Sequence, residues 1–442
     1  MAFDLQHYTS RLAGIDCMAY EGYVERVSGA IIESRGPSVG VGQLCEVQTG
    51  LGGRRRAVKA EVIGFRGSTT VLMPLEKMDG VQSGDRVVSQ GEHVEVQLSE
   101  NLLGRVLNGL GEPIDSGGEV LCPHSAPIYN ESPHPLERQY VSERLETSVR
   151  AIDGPLTLGK GQRIGIFAGS GVGKSVLLGQ IARFSDADAN VIALTGERGR
   201  EVGQFIRDVL GEDGLRKSVV VVATADAPPL LKVKAAFTAT AIAEYLRDRG
   251  RHVLYMMDSI TRVATGQREV GLAAGEPPTA RGYPPSVFSL IPSLTERLGN
   301  SRKGSITGIY TVLVERDDFN DPVVDAVRAS LDGHIVLSRS LADRGQYPAI
   351  DIPRSVSRTM ENVTGREHLE AVRKLRNIIT IYRDAEDLIN IGAYEQGTNP
   401  KIDSAIELMT EINRFLGQKT ADPTPFETTL QRMKAIANRW EF

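Results

Sequence analysis

The chain has 442 residues, of which 41% are hydrophobic and 24% charged, and its formal net charge is −5. This length predicts two or three domains, and the composition is typical of a soluble globular protein. The acidic balance argues against binding through bulk electrostatics to nucleic acid, so we expect no nucleic-acid partner. Because no apolar run reaches the ~20 residues of a membrane span and the N-terminus lacks a signal-peptide pattern, we expect membrane association to be indirect or peripheral.

The cysteines and histidines are scattered along the chain. Cys17, Cys45 and Cys122 form no C-x-x-C pair. This usage is typical of a reducing, cytoplasmic compartment. The spacing of the seven histidines predicts no zinc site.

The first third of the chain carries strand signals. Between Tyr23 and Leu98, short β-prone runs are cut by glycine turns every eight to twelve residues, which favours a small β-barrel. The segment contains two aromatic residues, Tyr23 and Phe65, too few for a base-stacking surface, so we interpret the barrel as structural. The run Arg54-Arg55-Arg56 is either a nucleic-acid contact or a solvated hairpin tip, and its composition favours the tip. Residues 101–145 are rich in glycine and proline, which predicts an extended connection with little regular structure.

The stretch from Arg163 to Ser175 predicts a strand that runs into a glycine loop and then a helix to Phe184. This is the layout of a P-loop, in which backbone N–H groups at a helix N-terminus hold phosphates. Lys174 would reach the β- and γ-phosphates, and the Ser175 hydroxyl would ligate Mg²⁺. The first glycine of the strict motif is replaced by Ala168, which is nearly as small. The expected nucleotide-binding residues are Gly169, Ser170, Gly171, Val172, Gly173, Lys174, Ser175 and Val176.

Apolar strands alternate with helices after this stretch. The strands are expected at 190–194, 218–223, 252–258 and 306–314, with a helix to about residue 210 after the first. This order predicts a parallel sheet covered on both faces, with ligands at the carboxyl ends of the strands. From about His368 the pattern becomes helical, and we expect helices over 369–391, 402–416 and 425–440.

Two carboxylates follow the predicted strands. Asp258 ends a strand as a Mg²⁺-organising aspartate should, and its alternative role is to cap the following helix. Glu197 lies just past the neighbouring strand, where a base for the attacking water is needed. Alternatively, Glu197 is a surface glutamate paired to Arg198 or Arg200, and spacing alone does not distinguish the catalytic role from the ion pair.

Three further positions are candidates for nucleotide or partner contacts. Arg358 is either an arginine finger or a surface residue after a strand. Tyr347 either stacks on adenine or is a half-buried aromatic at a turn. The run from Asp317 to Pro322 predicts a turn followed by a helix with proline at its first position.

Eight segments together carry a specific resemblance. They are Ala168-Gly-Ser-Gly-Val-Gly-Lys-Ser175, Gly196-Glu-Arg-Gly-Arg-Glu201, Met257-Asp-Ser-Ile-Thr-Arg262, Gln267-Arg-Glu269, Gly275-Glu-Pro-Pro278, Arg281-Gly-Tyr-Pro-Pro-Ser-Val-Phe288, Leu331-Asp-Gly-His-Ile-Val-Leu-Ser338 and Tyr347-Pro-Ala-Ile-Asp351. The chain resembles the ATPases of type III protein export, flagellar or injectisome, a family similar to the catalytic β subunit of rotary ATP synthases. The likeness runs from about Tyr23 to Trp440.

This resemblance implies an α/β fold in three parts. A RecA-like P-loop domain with a parallel sheet would follow a small N-terminal β-barrel and precede a C-terminal helical domain. The expected boundaries are an N-terminal segment at 1–22, the barrel at 23–98, the nucleotide domain at 99–360 with its connection at 99–150, and the helical domain at 361–442.

The resemblance also implies a homohexameric ATPase that binds ATP and Mg²⁺ at the interface between chains. By position, Glu197 would be the catalytic base, Arg358 the finger supplied to the neighbouring chain, and Tyr347 the adenine platform. A non-catalytic ring subunit would be expected to lack the glutamate, so Glu197 indicates hydrolysis.

The implied partners belong to an export apparatus in the cytoplasm, peripheral to the inner membrane. They are a regulatory stator-like protein at the N-terminus, a central coiled-coil stalk at residues 317–321, a membrane export gate, and export substrates with their chaperones. Hydrolysis would drive chaperone release, unfolding and export, in a flagellar rather than an injectisome system. Arg316 and Arg354 stand where less basic residues are expected in flagellar members.

Three alternatives remain at this stage. A transcription-termination, Rho-like RNA helicase shares the segment Asp258-Ser-Ile-Thr-Arg262, but it requires an aromatic RNA-binding barrel. A rotary ATP synthase catalytic subunit would share the P-loop and the ring. A nucleotide-gated scaffold would bind ATP as a switch and hydrolyse it negligibly.

Overall fold

The computed structural model describes residues 20–50, 56–91, 93–314 and 318–442. The predictions for the N-terminal segment before Tyr20, for Arg54 and Arg55, and for Arg316 and Asp317 therefore lie outside the described residues. One compact unit ends at Val94 and includes Glu269–Glu276, and the other comprises Glu95–Arg268 and Pro277–Phe442. In the part of the chain that is described, the helices are too short or too polar to span a bilayer.

The first unit contains a closed six-stranded barrel. Its strands are β1 (Glu21–Ser28), β2 (Ile31–Arg35), β3 (Leu44–Thr49), β4 (Arg56–Arg66), β5 (Thr69–Pro74) and β6 (Arg86–Ser89). They pair in the order β1-β2-β5-β4-β3-β6, which confirms the predicted barrel. In β3 the alternate residues Cys45 and Val47 point into the apolar interior, as the two-residue period of a strand requires. Tyr23 and Phe65 are both exposed.

The second unit is built on a nine-stranded sheet. The remaining strands in the described ranges are β7 (Glu95–Leu98), β8 (Val106–Asn108), β9 (His124–Pro127), β10 (Arg144–Leu145), β11 (Leu158–Gly159), β12 (Arg163–Ala168), β13 (Ala189–Thr195), β14 (Ser218–Ala223), β15 (His252–Asp258), β16 (Gly299–Asn300), β17 (Ser305–Leu313), β18 (Gly333–Val336) and β19 (Val356–Ser357). The order is β19-β18-β12-β17-β15-β13-β14-β8, with β16 beside β17. The six pairings from β18 across to β8 are parallel, as predicted from the alternation of strands and helices.

The glycine- and proline-rich connection is more ordered than its composition predicts. Val106–Asn108 forms β8, which pairs in parallel with β14 at the edge of the main sheet. β9 within the same stretch pairs with β7. The prediction of little regular structure is wrong for these segments, because such short strands are stabilised by pairing with distant strands and leave no periodic pattern of their own.

The helices follow the predicted pattern with one extension. Among the described residues, the α-helices of four or more residues are Arg150–Asp153, Lys174–Phe184, Gly199–Gln204, Gly211–Arg216, Pro229–Arg247, Ile260–Ala274, Pro285–Thr295, Pro322–Ser330, Arg339–Asp343, Met360–Val363, Arg366–Asn390, Pro400–Leu416 and Phe426–Asn438. The helix expected to stop near Leu210 continues through a π-helical turn, Phe205–Leu210, to Arg216. A helix begins at Pro322, as predicted, and Asp321 caps it by accepting a 2.9 Å hydrogen bond from the Val323 N–H.

The C-terminal helices confirm the predicted helical region. Arg366–Asn390, Pro400–Leu416 and Phe426–Asn438 bury apolar residues at helical spacing, including Leu375, Leu408 and Met433. These residues share one apolar core with the neighbouring strands, so the helical region packs directly on the nucleotide-domain sheet. This packing brings the loop between the last two helices to the sheet edge that carries the P-loop sequence.

His252 is buried at the amino end of β15. Its Nδ1 lies 2.6 Å from the Ser305 hydroxyl, while Nε2 is sealed from solvent without a described partner. Burial, and next the positive charge of the nearby Lys160, lower the pKa of His252 to about 4. In the unfolded chain the His252 imidazole is protonated below about pH 6.5, whereas in the folded chain it stays neutral down to about pH 4. The contribution of His252 to the free energy of unfolding is therefore highest above pH 6.5 and falls as the pH decreases from 6.5 toward 4.

Replacing His252 with asparagine is therefore expected to flatten the acid side of the stability profile. Between pH 7 and pH 5, the free energy of unfolding of the wild-type chain should fall by about 2 kcal/mol more than that of the variant. Urea unfolding followed by fluorescence of Trp440, the single tryptophan, measures this difference. Parallel profiles for the two chains would contradict it.

Candidate active site

The predicted P-loop joins β12 to the helix Lys174–Phe184, which we call the P-loop helix. Gly171 and Gly173 adopt positive φ values of 78° and 90°, a conformation that side chains disfavour. The free N–H groups of the first helical turn face the loop and provide a cradle for an anion. Ala168 is the buried last residue of β12 with ordinary strand geometry, so its methyl group is tolerated where the strict motif has glycine.

Lys174 and Asp258 meet at the carboxyl edge of the sheet. The Lys174 Nζ lies 2.5 Å from Asp258 Oδ1, and the Thr311 hydroxyl donates to the same oxygen at 2.7 Å. The Asp258 side chain is 3% exposed. Its hydrogen bonds go to Lys174 and Thr311 rather than to the first turn of the helix Ile260–Ala274, which argues against the capping role.

Glu197 follows β13 and faces the same lysine. Its Oε1 lies 3.8 Å from Lys174 Nζ, whereas Arg198 pairs with Glu201 at 3.5 Å. Burial, and next the charge of Asp258, raise the pKa of Glu197 to about 7. Gly196 supplies the turn before it, because its φ is 73° and a Cβ there would lie 2.8 Å from the Arg262 Cβ. The surface ion-pair alternative is therefore not what the structure shows.

The chemistry of these groups fits a magnesium nucleotide. Ser175 is exposed in the first turn of the P-loop helix, one residue after Lys174. Its hydroxyl and the Asp258 carboxylate are the oxygen ligands that Mg²⁺ prefers. The amide cradle and the lysine are matched to phosphate oxygens.

Tyr347 lies beside the P-loop. Its ring atoms are 3.4 Å from the point where a Cβ on Gly173 would stand, and the side chain is 46% exposed. The ring borders a cavity of about 1320 Å³ that also reaches Val176 and the loop 417–422. This position is compatible with stacking on a base whose phosphates occupy the P-loop.

Arg150 and Gln418 support this cavity and were missed by sequence reasoning. Arg150 donates through Nε to the Phe415 carbonyl at 2.7 Å and through Nη1 to the Thr424 hydroxyl at 2.9 Å. Gln418 accepts from the Arg150 N–H at 2.8 Å and donates its own backbone N–H to the Tyr347 carbonyl at 2.8 Å. No local pattern signals this network, because Arg150 lies more than 260 residues before its partners Phe415, Gln418 and Thr424.

Arg358 lies away from the P-loop of its own chain. Its N–H donates to the Asp332 carbonyl at 3.0 Å, and its exposed side chain reaches the Leu331 carbonyl at 3.4 Å. Asp332 binds Arg163 at the amino end of β12. Because the P-loop follows the other end of this six-residue strand, about 20 Å separates the two along the sheet.

A glycine loop at the carboxyl edge of a parallel sheet, with a lysine and two carboxylates converging on it, defines a P-loop nucleotide-binding protein. The barrel-domain model of the ATP synthase alpha/beta family matches residues 24–91, and the nucleotide-binding-domain model of that family matches 148–357. The model of the T3SS EscN ATPase C-terminal domain matches residues 364–435. The chain belongs to the family of type III export ATPases, which comprises flagellum-specific ATP synthases and type 3 secretion system ATPases.

Individual relatives cover nearly the whole chain. It is 48% identical to the flagellum-specific ATP synthase of Bacillus subtilis over 97% of this chain and 99% of that protein. It is 46% identical to the type 3 secretion system ATPase of Xanthomonas euvesicatoria, over 94% of each. The assembled ATPase EscN of enteropathogenic E. coli superposes with a TM-score of 0.89 at 46% identity, covering 94% of this chain and all of that one. These matches confirm the predicted family and the predicted fold class.

Proposed function

We propose that this chain hydrolyses ATP in a type III protein-export apparatus, within a homohexameric ring. The observation that carries the proposal is the convergence of Lys174, Asp258 and Glu197 at the P-loop. The match of residues 364–435 to the export-type C-terminal domain favours export over the rotary synthase alternative. The absence of an aromatic cluster from the described barrel residues, where Tyr23 and Phe65 are the aromatics, favours it over an RNA helicase.

Different residues of the site would bind the phosphates, the Mg²⁺ ion and the adenine. The amides from Gly169 to Val176 and the Lys174 ammonium would hold the phosphates. Ser175 and Asp258 would hold Mg²⁺, which when bound neutralises phosphate charge. Tyr347 would stack on the adenine at the mouth of the cavity.

Glu197 is suited to act on the attacking water. The carboxylate lies beside Lys174 but is not in tight contact with it at 3.8 Å, which leaves room for a water near the γ-phosphate. A raised pKa, about 7, makes it a stronger base than an exposed glutamate while a large fraction remains ionised at neutral pH. This property favours a hydrolase over a scaffold that only binds ATP.

The position of Arg358 supports a site shared between chains. Arg358 lies near the amino ends of the parallel strands, whereas its own P-loop lies at their carboxyl ends. It would therefore act as an arginine finger on the P-loop of a neighbouring copy. A related chain, EscN, has been solved as an assembled ATPase. A head-to-tail contact of this kind closes into a ring.

The proposed partners are inferred from the assemblies of related proteins. EscN has been solved with its central stalk EscO, which supports a stalk contact here through residues 317–321. Within the described part of that turn, Asp318 pairs with Arg281 at 3.0 Å. We further propose a stator-like regulator at the N-terminal segment 1–22, and an export gate, chaperones and cargo at the helical domain, 361–442. The apparatus would be flagellar, cytoplasmic and peripheral to the inner membrane.

The proposal predicts that hydrolysis depends on assembly. Specific ATPase activity should rise with protein concentration over the range in which light scattering detects conversion of monomers to rings, because each complete site needs two chains. Activity and mass are measured on the same samples, with ATP in excess. Full activity from a sample that remains monomeric would contradict a shared site, and absence of activity in assembled rings would contradict the hydrolase.

A further inference from the structure

One face of the P-loop helix lines the cavity beside Tyr347. The residues on this face are Gly173, Val176, Leu177 and Gln180. Their spacing of three and four residues places them on one stripe of the helix. The stripe begins with the phosphate cradle, continues with two apolar side chains, and ends with an amide.

Gln180 is unusual among the residues that line this cavity. Its side chain is 4% exposed, and its Nε2 is sealed from solvent with no hydrogen-bond partner among the described residues. A buried amide left unpaired is unfavourable and rare in native structures. No other side chain lining this cavity, among the described residues, carries such an atom.

Arg150 and Gln418 also line this cavity, and both make their hydrogen bonds to other protein groups. Arg150 directs its guanidinium to the carbonyls of Phe415 and Gly417 and to the Thr424 hydroxyl. Gln418 uses its amide on the Arg150 N–H and on the carbonyls of Ser148 and Asp422. Both side chains are therefore occupied by protein partners, and the Gln180 amide is available to a ligand.

Gln180 lies farther along the P-loop helix than the phosphate cradle and lines the same cavity. Six residues along the helix separate it from Lys174, a rise of about 9 Å. Tyr347 covers the helix start, so a nucleotide with its phosphates on Lys174 extends along the stripe toward Gln180. An amide presents one donor and one acceptor, and a half-turn of its last torsion exchanges them.

We propose that Gln180 hydrogen-bonds the edge of the base and makes the site selective for a 6-aminopurine. The amide oxygen accepts from the 6-amino group, and the NH₂ donates to the adjacent ring nitrogen, the pairing that glutamine makes with adenine. This inference rests on the proposed function, because it requires adenine nucleotide in this cavity.

The test compares nucleoside diphosphates, so that hydrolysis does not intervene. Affinities of the full chain for ADP, for purine riboside 5′-diphosphate, which lacks the 6-amino group, and for 2′-deoxy-ADP are measured by calorimetry. The wild-type chain should prefer ADP over the purine analogue about tenfold. Gln180→Met, which keeps the length and removes the amide, should lower ADP affinity about tenfold and abolish the preference.

Exposed Gln204 offers a matched control, since Gln204→Met removes an amide outside this cavity and should leave the preference unchanged. An unchanged preference in Gln180→Met, or an equal loss for ADP and the purine analogue, would overturn the inference. A loss confined to discrimination of the 2′-hydroxyl would also overturn it, because Gln180 would then contact the ribose. If the wild-type chain does not bind ADP at all, that result contradicts the proposed function as well as this inference.

Discussion

Replacing Glu197 with glutamine is expected to reduce ATP turnover by about 10²- to 10⁴-fold, the usual contribution of a general base. Glutamine preserves the shape and polarity of the side chain but cannot accept the proton of the attacking water. Because the carboxylate lies 3.8 Å from Lys174 rather than in its closest contact, the lysine and the phosphate cradle should remain in place. ATP affinity should therefore change by about threefold or less.

Single-turnover hydrolysis and equilibrium binding of ATP separate these two effects. Glu212→Gln is the matched control, since Glu212 is an exposed glutamate on the helix Gly211–Arg216. That variant should retain wild-type turnover. Wild-type turnover in Glu197→Gln would exclude this residue as the base, and a parallel collapse of binding would show that its role is structural.

The second large effect concerns complementation between two inactive chains. Lys174→Ala should lose phosphate binding, and Arg358→Ala should lose about 10³-fold or more in turnover as an arginine finger does. Mixed rings contain interfaces at which the intact P-loop comes from the Arg358→Ala chain and the intact finger from the Lys174→Ala chain. With random assembly at equal amounts, about a quarter of the interfaces are complete, so about a quarter of wild-type activity should return.

The experiment measures ATPase activity after the two variants are mixed, dissociated and reassembled. The control is a chain carrying both Lys174→Ala and Arg358→Ala, which cannot complete an interface with either single variant and should restore nothing. Failure of the single variants to complement, in rings confirmed by mass, would show that Arg358 does not act on the neighbouring site. Arg358 would then be a surface residue after a strand, because about 20 Å of strand separates it from the P-loop of its own chain.

Several features of this protein could be predicted from short stretches of sequence. The P-loop follows from the glycines that permit positive φ at Gly171 and Gly173, flanked by an apolar strand and a helix. The helix start at Pro322 follows from a turn with proline at the first helical position. The three long C-terminal helices follow from apolar residues at helical spacing. In each case the determining interaction lies within a few residues of chain.

Other features could not be predicted in this way. The three residues of β8 carry no measurable period, and the pairing with β14 supplies the hydrogen bonds that make them a strand. The hydrogen bond from Arg150 to Thr424 joins residues 274 positions apart. The unpaired amide of Gln180 depends on how the P-loop helix lines the cavity, which no local pattern encodes.

The α/β class, the barrel, the helical region and the P-loop can be derived from the order of residues along the chain, and its motifs indicate the family. The same reasoning gives Glu197, Asp258, Tyr347 and Arg358 as candidates, each with an alternative role. Only the folded chain shows that Asp258 binds Lys174, that Glu197 faces the same lysine, and that Arg358 lies near the amino end of β12, away from the P-loop. Local conformation depends on neighbouring residues, whereas the convergence of charges depends on strand order, which is set by contacts between distant segments.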